Sequence, residues 1–112
     1  MRMWMLPPKY LCRKHLLGEH VELHMLVGSI QKKKSLSGFL RDRLIQPMAI
    51  RARHKALVKE MTERGYNHRS PLPQYTWHLS KKDLLVKVDK AENLRDLTER
   101  CEDCRQRQRE YA

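Results

Sequence analysis

From Leu11 to about Ile30 the chain repeats its apolar residues at spacings of three and four. Leu16, Leu23 and Val27 form one stripe, and Leu11, His15, Glu19, Glu22 and Leu26 form a second beside it. A segment of about 20 residues with this period is a helix roughly 30 Å long. One stripe calls for a core to cover it and the other carries charge alongside, so the remaining elements must pack against this helix.

Those elements also read as helical. The opening stretch MRMWMLPPKY is extended, because the residue before each proline is pushed out of the α region. The basic run and turn formers of QKKKSLSG (31–38) end the first helix, and FLRDRLI leads to Pro47. A second helix is expected from about Met48 to Arg64, with Ile50, His54, Leu57 and Met61 on one side and Arg51, Arg53, Lys55 and Lys59 around the rest. Gly65 is its expected left-handed stop. GYNHRSPLPQYTWH (65–78) is loop by composition. Ser80 and Asp83 then resemble a capping box opening a last helix that continues through Leu84, Val88, Ala91 and Leu94 to about Arg109. The expectation is an all-α, compact single domain over residues 1–112, with about three main helices and irregular connecting loops.

Charge narrows the partner. The 112 residues hold 24 Lys+Arg against 13 Asp+Glu, a formal charge of +11, so an acidic polymer, nucleic acid first, is the natural ligand. No apolar run approaches the roughly 20 residues that span a bilayer. The N-terminus has a charge at residue 2 and prolines at 7 and 8, which leaves no signal-peptide h-region. Three cysteines are too few for a secreted disulfide scaffold. The chain therefore reads as intracellular.

Several residues carry possible chemistry. HLLGEHVELHM (15–25) resembles a zinc-protease helix, but that arrangement needs His-Glu-x-x-His with the glutamate directly after the first histidine. Here Glu22 stands one position later than required between His20 and His24, which turns it by about 100° around the helix. Glu19 and Glu22 read either as a solvated acidic patch, with an i,i+4 pair between His15 and Glu19, or as a carboxylate set in a positive surface to act on a cation or a proton. Cys101-x-x-Cys104 gives a weak metal or redox signal. Zinc would need two further ligands, from Cys12, His20, His24 or His78. Lys32, Lys33 and Lys34 sit at a helix end, where they suit both the dipole and phosphates. Trp4, Tyr75 and Trp77 read as core lids or as stacking residues.

HLLGEHVELHMLVG, followed after a basic linker by RHKALVKEMTERGYNHRSPL, resembles the pyrimidine-dimer DNA glycosylase family over about residues 1 to 75. The resemblance implies a compact helical domain and a bifunctional DNA repair enzyme, a glycosylase with AP-lyase activity. It implies that the α-amine of the first residue attacks C1′ of the damaged nucleotide to leave a Schiff base, with a glutamate on the first long helix assisting. Laid on this chain without gaps, these roles fall on Met1 and Glu22. Arg2 and His15 take two further family positions, and Arg2, Arg13, Lys14, His15, Lys32, Lys33, Arg64 and Asn67 are the expected DNA-binding residues. α-Amines titrate at about 7.7–8.0, so a usable fraction is neutral at neutral pH.

Departures accompany the resemblance. The family's phage member begins on threonine where this chain has Met1, and the bulk of Arg2 predicts that Met1 is retained. Two helix arginines of that member are replaced by Val21 and Met25, with Arg13, Lys14, His20 or His24 able to compensate. The implied partner is double-stranded DNA containing pyrimidine dimers or abasic sites, met by a monomer in the cytoplasm with no metal, cofactor or membrane. The competing expectation is a non-catalytic basic nucleic-acid-binding protein on the same helical scaffold.

Overall fold

The first helix, α1, runs Arg13–Gln31 in the computed structural model, which describes residues 1–112. Leu16, Leu23, Leu26, Val27 and Ile30 are almost wholly buried along it, so the core seam takes in the first stripe together with Leu26 of the second. A short α2 (Ser37–Arg41) and a 3-10 turn at Pro47–Ala49 lead into α3 (Ile50–Glu63), which packs across α1. Leu57 and Ile50 close the seam from that side. Each such side chain contributes about 1.5–3 kcal/mol when fully buried. Gly65, at φ 83°, ends α3 as the sequence suggests. The Tyr66 amide donates to the Met61 carbonyl at 2.8 Å and the Gly65 amide to Thr62 at 3.0 Å, the double bond of a Schellman stop.

The C-terminal third departs from expectation. In place of one helix there are three, α4 (Lys81–Leu84), α5 (Lys90–Arg100) and α6 (Glu102–Tyr111), giving six helices of which four are long. The Ser80 hydroxyl does accept the Asp83 amide at 3.2 Å. The chain then leaves the helix at Leu85 so that Val88 can enter the interior, where its amide donates to the Gln46 side chain. Asp89 restarts it by accepting the Glu92 amide at 3.0 Å. Cys101 interrupts it again in an extended conformation, φ −130° and ψ 109°. A helical period in the apolar residues does not reveal such breaks, because both flanking segments keep the period.

The opening segment is also more structured than its prolines indicate. Pro8–Tyr10 forms a 3-10 turn seated against α3 and α6. Upstream, the Met3 amide donates to Leu44 O at 2.8 Å, and the buried Asn93 side chain of α5 donates to Met3 O and Trp4 O at 3.3 and 3.0 Å. Met3, Trp4 and Leu6 are buried. The chain start is thereby tied down from its third residue onward.

Two further expectations are corrected at the interface of α1 and α3. Glu19 belongs to no solvated patch and has no pair with His15; it is 1% exposed. Arg53, expected on the polar side of α3, is 5% exposed and meets Glu19 in a bidentate pair, Nε to Oε2 at 2.6 Å and Nη2 to Oε1 at 2.9 Å. Its Nη1 donates to Leu6 O at 2.6 Å. The arginine joins α3, α1 and the N-terminal segment at one point.

Removing one member of a buried pair strands the other charge, at a cost of about 3–5 kcal/mol. Glu19→Ala should therefore lower the unfolding free energy by about that much in a urea titration, while Glu19→Leu combined with Arg53→Met should recover most of the loss. A single-variant loss below about 1 kcal/mol would show the pair to be solvated.

Candidate active site

Directly beyond Glu19 on α1, Glu22 lies half-buried in a cleft of about 320 Å³ shared with Arg2, Trp4, Lys14, His15 and Arg100. The Arg2 backbone amide donates to Glu22 Oε2 at 3.2 Å. Burial pushes the Glu22 carboxyl above the ordinary carboxylate range; the Arg2 amide and the positive α-amine of Met1 pull it down without cancelling that, and Glu19 adds to the rise. A carboxyl that holds its proton more tightly than usual thus lines the cleft, near enough to the chain's α-amine to feel its charge. Gly18, one turn before Glu22, has open space where a Cβ would stand. A mid-helix glycine costs about 0.5–1 kcal/mol relative to alanine, so its contribution here is room beside the carboxylate.

Arg2 is held rather than free. Its guanidinium donates to Asn93 Oδ1 at 2.7 Å and Asp96 Oδ2 at 2.8 Å and stacks 4.0 Å above the Trp4 ring. Asp96 is pulled below its usual range by that hydrogen bond. Trp4 is a buried lid, in edge contact with His15 at 5.9 Å between centroids. Asn93, Asp96 and Arg100 were not legible in the sequence, since a polar residue on an α-helix carries no mark of the backbone atom it meets.

The other expected DNA-binding residues divide. Arg13 is exposed and lies over Tyr66, and Lys32 and Lys33 are exposed at the far end of α1. Lys33 borders a second groove of about 480 Å³ with Tyr75, Trp77 and His78. Arg64 is turned inward, donating to Glu60 at 2.8 Å and to the carbonyls of Pro8 and Leu11 at 3.1 and 2.7 Å. Asn67 is exposed and, with its amide oxygen toward Arg69, accepts from that guanidinium at 3.1 and 2.9 Å. His15 faces the cleft on one side and the sulfurs of Cys12 and Cys104 on the other, at 3.3 and 3.5 Å. Burial, then Lys14 and Arg100, lowers its pKa.

His20 and His24 project from α1 about 160° away from Glu22, so that carboxylate serves neither imidazole. They join His54 and His68 in a cluster with ring centroids about 5 Å apart. His20 and His68 share a contact at 3.0 Å between Nε2 atoms, and His24 and His68 both reach Ser70 O.

Against this geometry, residues 1–74 match the family model described as pyrimidine dimer DNA glycosylase. The chain belongs to that family. It is therefore a DNA glycosylase of the repair of pyrimidine dimers, with DNA as its substrate, and no helix is long and apolar enough to cross a membrane. Searches of curated proteins and of solved structures found no match. The glycosylase match stops within the loop before α4, yet α5 supplies the residues that hold Arg2.

The histidine cluster makes a pH prediction for this glycosylase. Burial, followed by repulsion from His54, His24 and His68, lowers His20 to about 4 from an ordinary 6.5. The unfolded chain then binds a proton that the folded chain refuses between those values, so stability falls as pH drops through that window. Urea unfolding at pH 7.5 and pH 4.5 should show wild type losing more than His20→Gln; equal losses would contradict the buried neutral imidazole.

Proposed function

We propose that the enzyme is a bifunctional glycosylase and AP lyase in which the α-amine of Met1 is the nucleophile and Glu22 the proton-transfer group. The observation that carries this reading is the convergence of the chain start on Glu22, through the 3.2 Å bond from the Arg2 amide and the α-amine's pull on that carboxyl. The neutral amine attacks C1′ and forms a C–N bond, while the glycosidic electrons leave with the pyrimidine, which takes up the proton that the attacking nitrogen gives up. A proton on the sugar ring oxygen lets the ring open to an iminium, and Glu22 is placed to supply it. The carboxylate so formed stabilises the cationic iminium and can accept the C2′ proton, whereupon the 3′ phosphate departs and the strand is nicked.

Binding follows the same arrangement. Lys14 and Arg100 flank the cleft mouth, and Arg13, Lys32 and Lys33 extend the positive surface along α1. The Tyr75–Trp77 edge pair beside Lys33 offers aromatic faces next to a phosphate-binding charge. Arg2 orients the amine more than it grips phosphate, because Asp96 already neutralises it. The proposed substrate is double-stranded DNA carrying a pyrimidine dimer or an abasic site, bound by one copy of the chain in the cytoplasm.

Glu22→Gln keeps the shape and removes both charge and proton. Nicking of ultraviolet-irradiated duplex should fall by roughly 10²- to 10⁴-fold, while affinity at fixed salt stays equal or tightens, as a negative charge has left a phosphate-facing surface. Thermal stability should be no lower than wild type, since burial of the charged form is disfavoured at this position. Near wild-type nicking would remove Glu22 from the mechanism.

A further inference from the structure

The breaks around Cys101 bring two cysteines that the proposed strand scission does not use up to Cys12 and His15. Cys12 and His15 stand at the start of α1, three residues apart; Cys101 and Cys104 stand at the start of α6 with the same spacing. Their sulfur and nitrogen donor atoms all lie within 4.8 Å of one another. Cys12 Sγ is 3.8 Å from Cys101 Sγ, and His15 Nδ1 is 3.3 Å from Cys12 Sγ and 3.5 Å from Cys104 Sγ.

We propose that Cys12, His15, Cys101 and Cys104 form a structural zinc site that clamps the junction of α5 and α6 onto the start of α1. It takes up the weak zinc signal of Cys101-x-x-Cys104 with Cys12 and His15 as the further ligands, and it stands independently of the reaction assigned to Glu22. Zinc at about 2.3 Å from sulfur and about 2.0–2.1 Å from nitrogen, in tetrahedral geometry, separates two sulfurs by about 3.8 Å and a sulfur from a nitrogen by about 3.5 Å. Three of the six donor separations, 3.8 Å between sulfurs and 3.3 and 3.5 Å from sulfur to nitrogen, lie close to those figures, and none of the six exceeds 4.8 Å. A disulfide needs its sulfurs about 2.05 Å apart, and all three cysteines are free.

Backbone amides are aimed at two of the sulfurs. The Cys12 amide donates to Cys104 Sγ at 3.2 Å and the Cys104 amide to Cys101 Sγ at 3.4 Å, the kind of backbone support that orients metal-bound sulfur. Both half-sites sit at helix N-terminal ends, where negative charge is favoured. Three sulfurs and one nitrogen select zinc over magnesium or calcium, and four protein donors leave no position for a catalytic water. The extended backbone at Cys101 separates α5 from α6 and sets Cys101 and Cys104 beside Cys12 and His15.

The clamp acts on the cleft through α5, which it fixes at one end. Asn93 and Asp96 on that helix hold Arg2, and Asn93 also bonds the carbonyls of Met3 and Trp4. The cluster of His20, His54 and His68 is the competing metal position. It offers no thiolate; His20 and His68 meet at 3.0 Å and His68 bonds the Ser70 carbonyl, while His54 Nε2 is buried without a partner.

Purified full-length protein should carry one zinc per chain by elemental mass spectrometry, and X-ray absorption at the zinc edge should report three sulfurs and one nitrogen. Cys101→Ser and Cys104→Ser should lose the metal, whereas His68→Gln should retain it. Should the cysteine variants fail to fold, cobalt(II) substituted into the wild-type chain still decides, by intense thiolate-to-metal charge-transfer bands and a tetrahedral visible spectrum. A chain that purifies without zinc and takes up none from zinc chloride after reduction would overturn the proposal. So would a zinc bound by nitrogen alone, or one lost from His68→Gln and kept in the cysteine variants.

Discussion

The bidentate contact of Arg53 with Glu19 is the point on which the architecture turns. Both side chains are removed from water, and the third guanidinium nitrogen is committed to the Leu6 carbonyl. One arginine therefore sets the distance between the two longest helices and positions the segment that precedes them. It also separates the fates of two carboxylates one turn apart. Glu19 is neutralised in the interior, while Glu22 remains at the cleft with burial opposing its charge and no side-chain cation bonded to it.

α1 consequently serves two surfaces that have little to do with one another. Glu22, Gly18 and Lys14 share the cleft side, whereas His20 and His24 meet His54 and His68 on the opposite side. The metalloprotease likeness of residues 15–25 is a consequence of reading both faces as one line of text. On the helix they are roughly half a turn apart, and the histidines tie α1 to α3 and to the loop after Gly65.

The all-helical class, the course of α1 and α3, the stop at Gly65 and the cap at Ser80 were legible because each rests on local periodicity or on one residue's backbone preference. The carboxylate at Glu22 came from family resemblance and the order of motifs. What was not legible rests on pairings distant in sequence. Glu19 with Arg53, Asn93 with the backbone of Met3 and Trp4, and His15 with Cys104 join residues that no local pattern links. Sequence placed Arg64 among the DNA-binding residues by its position alone; the fold directs it to carbonyls of the turn before α1. The segmentation of α4, α5 and α6 was hidden for a related reason, since a helix break made to bring cysteines or an apolar residue inward leaves the flanking pattern intact.

The central claim is that the fold delivers the chain's own α-amine to Glu22. Borohydride reduction during turnover on duplex DNA converts an imine to a stable amine, and peptide mapping of the resulting adduct locates the nucleophile. The account predicts that the adduct lies on the peptide beginning at Met1 and disappears when that amine is acetylated, with helix content unchanged. An adduct on a lysine such as Lys14, or one that survives acetylation of the terminus, would contradict it.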